Sequence, residues 1–173
     1  MKHLGFSLIA DLRLPDIFHL KPQELAAAGI RLLLADLDNT LTPYSADLPT
    51  EAVRQWKNEL EQAGITLFVV SNSRKAARVP NYCESLGIGY VRHAGKPGVK
   101  GFLRAMEETG HKPEQTLMVG DQIFTDILGA GRAGIAAVLV EPVELAGNPG
   151  RYLRYAVEWP FRRLARKEGT PWG

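Results

Sequence analysis

The sequence predicts an α/β protein built on a parallel, five-stranded sheet with helices on both faces. Three observations predict it. From residue 31 onward, short apolar runs alternate with longer amphipathic segments. The runs are apolar at nearly every position, so each strand is buried on both faces, as parallel strands are. Glycines such as Gly64 and Gly87 close the amphipathic segments, where helices commonly stop. Strands and helices in strict alternation specify a covered parallel sheet.

The elements follow in order. Residues 31–36 read as the first strand. Residues 50–63 read as a helix, with Thr50 as N-cap and Gly64 as stop. Residues 65–70 are the second strand, rich in β-branched and aromatic side chains. A helix over 73–86, with Ser73 as its cap, ends at Gly87, and residues 88–91 form a short third strand. Then come a helix over 98–109, a fourth strand over 116–119 ended by Gly120, a helix over 123–132 and a fifth strand over 135–140. Residues 1–30 read as an extension of one domain over 1–145, and residues 146–173 as a basic, aromatic tail.

Composition bounds the function. A length of 173 residues allows one domain with a sizeable core. The net charge of +2 gives no reason to expect a nucleic-acid partner. The single cysteine, Cys83, leaves no internal disulfide and fits a reducing compartment. No apolar run reaches the length of a membrane-spanning helix. The apolar N-terminus is broken by Asp11 and Arg13 too early for a signal peptide. A cytoplasmic protein is expected, with peripheral contact at a membrane surface as its variant.

The first strand ends in two carboxylates, Asp36 and Asp38. Residues i and i+2 of an extended segment point the same way, and two close anions repel unless a cation or proton lies between them. Ligands of open α/β sheets bind beyond the carboxyl ends of the strands. Asp36 and Asp38, Ser71 and Asn72, and Gly120 and Asp121 all occupy such ends, and Lys96-Pro97 lies in the loop before the next helix. Together they describe phosphoryl transfer. Asp36 is placed to attack phosphorus and form an aspartyl-phosphate. Asp38 is placed to protonate the leaving oxygen and then deprotonate water. Asp36, Asp38 and Asp121 offer hard oxygen ligands for Mg2+. Ser71, the Asn72 amide and Lys96 are candidates for binding phosphate.

Plainer readings exist. The aspartates would cap a turn before Thr42-Pro43. A calcium loop fits worse, since its third acid would fall on Thr40 and its glycine on Leu41. Ser71 alone reads as a turn residue, Lys96 alone as a surface lysine, and Asp126 as half of a salt bridge.

Asp-x-Asp-x-Thr at 36–40, the strand ending in Ser71, Lys96-Pro97, and Gly120-Asp121 followed by Asp126 resemble the four motifs of the haloacid dehalogenase (HAD) phosphatase superfamily. The resemblance implies a Rossmann-like three-layer sandwich with a mainly parallel sheet. It also implies Asp36 as nucleophile, Asp38 as general acid/base ligating metal through its main-chain carbonyl, and Asp121 as third metal anchor. Thr40 and Asp126 take supporting places, and magnesium is the cofactor. The intervals 40–71 and 71–96 leave no room for a cap domain. An open site suits large substrates unless oligomerisation covers it.

Within the superfamily, 28–41, 70–72, 95–97 and above all 120–126 are similar to the YqeG-type, HAD-IIIA branch. That branch is linked to phosphatidylglycerophosphate phosphatases. The implied partner is thus a phosphorylated lipid headgroup, dephosphorylated to phosphatidylglycerol. A small phosphorylated metabolite, a phosphoprotein, or a catalytically weak assembly role are the alternatives. In the tail, Arg151, Arg154, Arg162, Arg163, Arg166 and Lys167 stand against one acid, Glu158, with Tyr152, Tyr155, Trp159 and Phe161 interleaved. Such a segment either lies on an anionic bilayer or docks as a helix with its arginines solvated. Pro160 is expected to interrupt any single long helix there.

Overall fold

The computed structural model describes residues 7–145 and 149–166; Lys167 of the tail lies outside them. The apolar runs become strands of one sheet because each can bury both faces only between layers of helices. Its strands are β1 (Leu12–Leu14), β2 (Leu32–Ala35), β3 (Thr66–Val70), β4 (Gly89–Val91), β5 (Thr116–Gly120) and β6 (Ala136–Val140). Their spatial order is β1-β6-β5-β2-β3-β4, with every pairing parallel. β2 is central: Ala35 is in register with Val69 on one side and Val119 on the other.

The helices are α1 (Pro22–Ala27), α2 (Glu51–Gln62), α3 (Arg78–Leu86), α4 (Lys100–Thr109), α5 (Leu128–Ala133) and α6 (Pro149–Leu164). Leu33 and Ala35 of β2 face one core with Trp56, Leu60 and Tyr82, and Leu32 and Leu34 face the other with Phe102, Met106 and Ile127. Alternate strand residues thus feed opposite cores. Each fully buried leucine is worth roughly 1.5–3 kcal/mol over an exposed one.

Several expectations change. The sheet has six strands rather than five, and all are parallel. The extra strand, β1, comes from the N-terminal extension and pairs with β6, Leu12 opposite Val138. It is three residues long and only Leu12 is buried, too brief a pattern to read. The helix expected over 73–86 starts at Arg78, with Ala77 as an N-cap that makes no side-chain cap bond. Ser73 is not its cap; its N–H instead bonds the Ser71 hydroxyl at 3.1 Å. The segment expected to be helical over 123–132 opens with a π-helical turn, Ile123–Ile127. Pro160 does not interrupt α6. The carbonyl it leaves unpaired, four residues back, is that of Ala156. Both residues are exposed, so water can serve that carbonyl.

No cap domain is inserted: a loop, α2 and β3 fill 40–71, and a loop, α3 and β4 fill 71–96. Among the described residues no helix is long and apolar enough to cross a membrane.

Candidate active site

The Asp36 N–H bonds Val119 O at 3.0 Å, so strand pairing carries Asp36 to the carboxyl edge of the sheet. The chain then turns tightly. Thr40 and Leu41 both donate to Leu37 O, and Asn39 adopts a left-handed φ of 64°, a conformation asparagine tolerates. This turn separates the two aspartates that extended geometry would aim together. Asp36 faces Lys96 Nζ at 2.7 Å. Asp38 faces Arg78 Nε at 2.7 Å.

Lys96 is buried and its ammonium is shared: it reaches Asp36 Oδ1 and Asp126 Oδ1, each at 2.7 Å. Asn72 holds it in place, donating to Lys96 O at 2.9 Å and accepting from Lys96 N at 3.0 Å. The Asn72 side chain is thereby committed to the lysine's main chain, so the expectation of Asn72 as a phosphate ligand rests on its own N–H. Asp126 comes from the π-helical turn, where its other oxygen accepts the Gln122 N–H at 3.1 Å. Gly120 makes that approach feasible, because a Cβ there would collide with the Asp126 carboxylate. The Thr40 hydroxyl donates to Asp121 Oδ1 at 3.4 Å. Ser71, buried, lies two residues beyond Val69, the register partner of Ala35.

Oxygens of Asp36, Asp121 and Asp126 all lie within 4.8 Å of one another. Three carboxylates therefore face one ammonium, an excess of two negative charges when all are ionised. Burial pushes the Asp36 carboxyl up to about 7; Lys96 pulls it back, while the Asp126 and Asp38 carboxylates push it further up. Burial also raises Asp121 well above the usual carboxylate range, with Asp36 and Asp126 adding to the shift. For Lys96, burial pulls the pKa down, but the Asp126 and Asp36 carboxylates outweigh it and the net shift is upward. A hard divalent cation is what such an oxygen set accommodates. The Asp38 carboxylate is not part of the trio; the expectation of Asp38 as a ligand rests on its main-chain carbonyl.

Three residues with no motif to mark them complete the site. Arg78, buried, binds Asp38 and also Asp47 at 2.8 Å and the carbonyls of Ala46 (2.5 Å) and Pro43 (3.0 Å). It ties the loop over 43–47 to Asp38. Glu158 and Arg162 come from α6, and each is only 1% exposed. Glu158 accepts the N–H groups of Ile123 (2.9 Å) and Phe124 (3.2 Å), and Arg162 donates to the Asp121 carbonyl. The terminal helix therefore holds the loop that carries Asp121 and Asp126, and Arg162 is not solvated as expected. Nothing in the spacing of a basic tail announces this. A cleft beside Asp121 and Asn39 is walled by Gln122, Arg151, Arg154 and Tyr155.

Comparison with known proteins agrees with this geometry. The family model for haloacid dehalogenase-like hydrolases matches residues 6–134. The chain is 33% identical over 165 residues to "Probable phosphatase YqeG" of Bacillus subtilis, covering 95% of each. It is 32% identical over 152 residues to "Phosphatidylglycerophosphate phosphatase 1, chloroplastic" of Chlamydomonas reinhardtii, covering 82% of this chain and 55% of that protein. The cobalt-bound deoxy-D-mannose-octulosonate 8-phosphate phosphatase of Haemophilus influenzae shares the fold, with a TM-score of 0.53, 16% identity, and coverage of 80% and 92%. With its Asp-x-Asp turn, shared lysine and acidic trio at one sheet edge, the chain belongs to the haloacid dehalogenase-like hydrolases.

Proposed function

We propose that this protein hydrolyses a phosphomonoester through an aspartyl-phosphate on Asp36, and that the ester is the terminal phosphate of phosphatidylglycerophosphate. The observation that carries the chemistry is the buried trio of Asp36, Asp121 and Asp126 with Lys96 bridging two of them at 2.7 Å. Asp36 attacks phosphorus; its bond to phosphorus forms as the bond to the leaving oxygen breaks. Asp38, half-buried and steered by Arg78, gives that oxygen its proton. Asp38 then takes a proton from water, which attacks the same phosphorus and releases inorganic phosphate and free Asp36. Lys96, the Ser71 hydroxyl and the Asn72 N–H bind phosphoryl oxygens and oppose their growing charge. Magnesium, held by Asp36, Asp121 and the Asp38 carbonyl with Asp126 alongside, would neutralise the carboxylates, keep Asp36 ionised and clamp the phosphoryl group.

Three features support the lipid substrate. The site has no cap. The relatives include a phosphatidylglycerophosphate phosphatase. The cleft beside Asp121 carries Arg151 and Arg154, suited to a second negative charge such as the phosphodiester of that lipid.

Turnover of phosphatidylglycerophosphate, measured beside a panel of soluble phosphate esters, tests both parts. Magnesium-dependent phosphate release from the lipid, lost in Asp36→Asn, is expected. Brisk turnover of a soluble ester with an inert lipid removes the lipid assignment. Activity that survives Asp36→Asn removes Asp36 as nucleophile. No turnover of any ester favours the assembly role.

A further inference from the structure

The two faces of α6 have different surroundings. The inner face buries Glu158 and Arg162 against the loop that carries Asp121. The outer face is apolar and open: Leu153 is 69% exposed, Val157 53% and Leu164 63%. With Ala156 and Pro160, also exposed, they recur at the three- and four-residue spacing that lines one side of a helix. Tyr152 and Trp159, both exposed, flank this row. Arg163 and Arg166 are exposed as well, and Arg163 lies 6.0 Å from the Trp159 ring centroid. The one acid of α6, Glu158, is buried and paired with Arg162 at 3.1 Å. Among the described residues, the outer surface of α6 thus carries positive charge only.

An apolar row of this size marks an interaction surface, and charge chooses its occupant. A second copy docked symmetrically on this face would set arginines near arginines, with no acid on the helix to answer them. An anionic bilayer offers the complement. Its interface accepts the aliphatic row, its headgroup level suits Trp159 and Tyr152, and its phosphates meet the arginines. Resting on the lipid-headgroup reading above, we propose that the outer face of α6 seats the enzyme on an anionic membrane surface. The same helix supplies Arg151 and Arg154 to the wall of the cleft beside Asp121.

Vesicle co-sedimentation tests this with two variants, the triple substitution L153D/V157D/L164D and the charge reversal R163E/R166E. Wild type is expected to bind vesicles of phosphatidylglycerol and phosphatidylcholine, and to leave pure phosphatidylcholine vesicles largely unbound. Each variant is expected to bind the anionic vesicles at least about tenfold more weakly. Both should hydrolyse a soluble phosphate ester at the wild-type rate, which shows that they are folded. Wild-type binding by the triple variant overturns the assignment, as does a wild type that binds no vesicle. A wild-type dimer that the triple variant converts to monomer, with no vesicle binding, assigns the face to a second copy instead. Vesicle binding that needs α6 in an enzyme inert toward the lipid supports the surface and removes the lipid substrate. Lipid hydrolysis in detergent micelles without α6-dependent vesicle binding does the reverse.

Discussion

Two buried charge clusters meet at Asp121. Its carboxylate joins Asp36 and Asp126 around Lys96, and its carbonyl accepts from Arg162. In the first cluster three carboxylates face one ammonium. In the second, Arg162 pairs with Glu158 at 3.1 Å and lies 3.7 Å from Glu141, which Arg13 also binds at 2.6 Å. Two guanidiniums there answer two carboxylates. Each cluster has a fully buried centre, Lys96 with Asp126 in the first and Arg162 with Glu158 in the second, so burial at the centre does not separate them. Charge balance does. A balanced cluster satisfies itself and can serve as a fastener. An unbalanced one stays costly until a cation or a proton arrives, which suits it to chemistry.

Substitutions that remove one acid from each cluster should act in opposite directions. Asp36→Asn is expected to lower kcat by about 10^4-fold or more, as loss of a nucleophile does. In the metal-free protein near pH 8 its melting temperature should stay level or rise, because one repelling charge is gone. A marked fall in that temperature would mean that Asp36 is a structural partner of Lys96. Glu158→Gln should do the opposite. Breaking one side of a buried pair costs about 3–5 kcal/mol, readable as a lower denaturation midpoint. Activity measured well below that midpoint should fall far less than in Asp36→Asn. An unchanged midpoint would show that the α6 contact is dispensable.

Arg78→Gln acts on neither cluster directly. It frees Asp38 and the loop over 43–47. A loss in kcat of about 10–100-fold is expected, in line with other orienting residues, together with a displaced pH profile. A shift in KM alone would place Arg78 in substrate binding instead.

The smallest effect concerns pH. The carboxyl of Asp36 is raised from 3.8 to about 7 in the folded protein, so the folded state holds its proton more tightly than the unfolded chain. The stability this contributes is complete below about 3.8 and is lost as pH rises through about 7. Asp121, also raised, adds in the same direction. Metal-free protein should therefore melt several degrees lower at pH 8 than at pH 5. Magnesium should restore more stability at pH 8 than at pH 5. Equal magnesium effects at both values would argue against a metal site built on these acids.

Much of the catalytic edge was legible from residue order. Asp36, Ser71 and Asp121 each follow an apolar run and Lys96 the loop after one, and a parallel sheet gathers such positions at one edge whatever the loops between them do; Asp126 came only with the resemblance to the family's motifs. The partners of that edge were not legible. No motif marks Arg78, whose role comes from the loop over 43–47 closing around it. Arg162 is one of six basic residues over 151–167 and Glu158 the one acid there, and neither count nor spacing says which side of a helix is covered. The three residues of β1 become a strand only because β6 leaves an edge to pair with. The missing N–H of Pro160 predicts a break, but the carbonyl it abandons belongs to exposed Ala156, so α6 continues through it.

By itself, then, the sequence determined the layered sheet, the strand ends and the acids and lysine placed on them, because side-chain periodicity and strand polarity are local properties of the chain. Only the tertiary structure decided which cation each acid receives, that Asp36 and Asp38 part company, and that α6 holds the loop carrying Asp121. Those outcomes depend on distances between residues far apart in the chain, and on the balance of buried charge that such distances set.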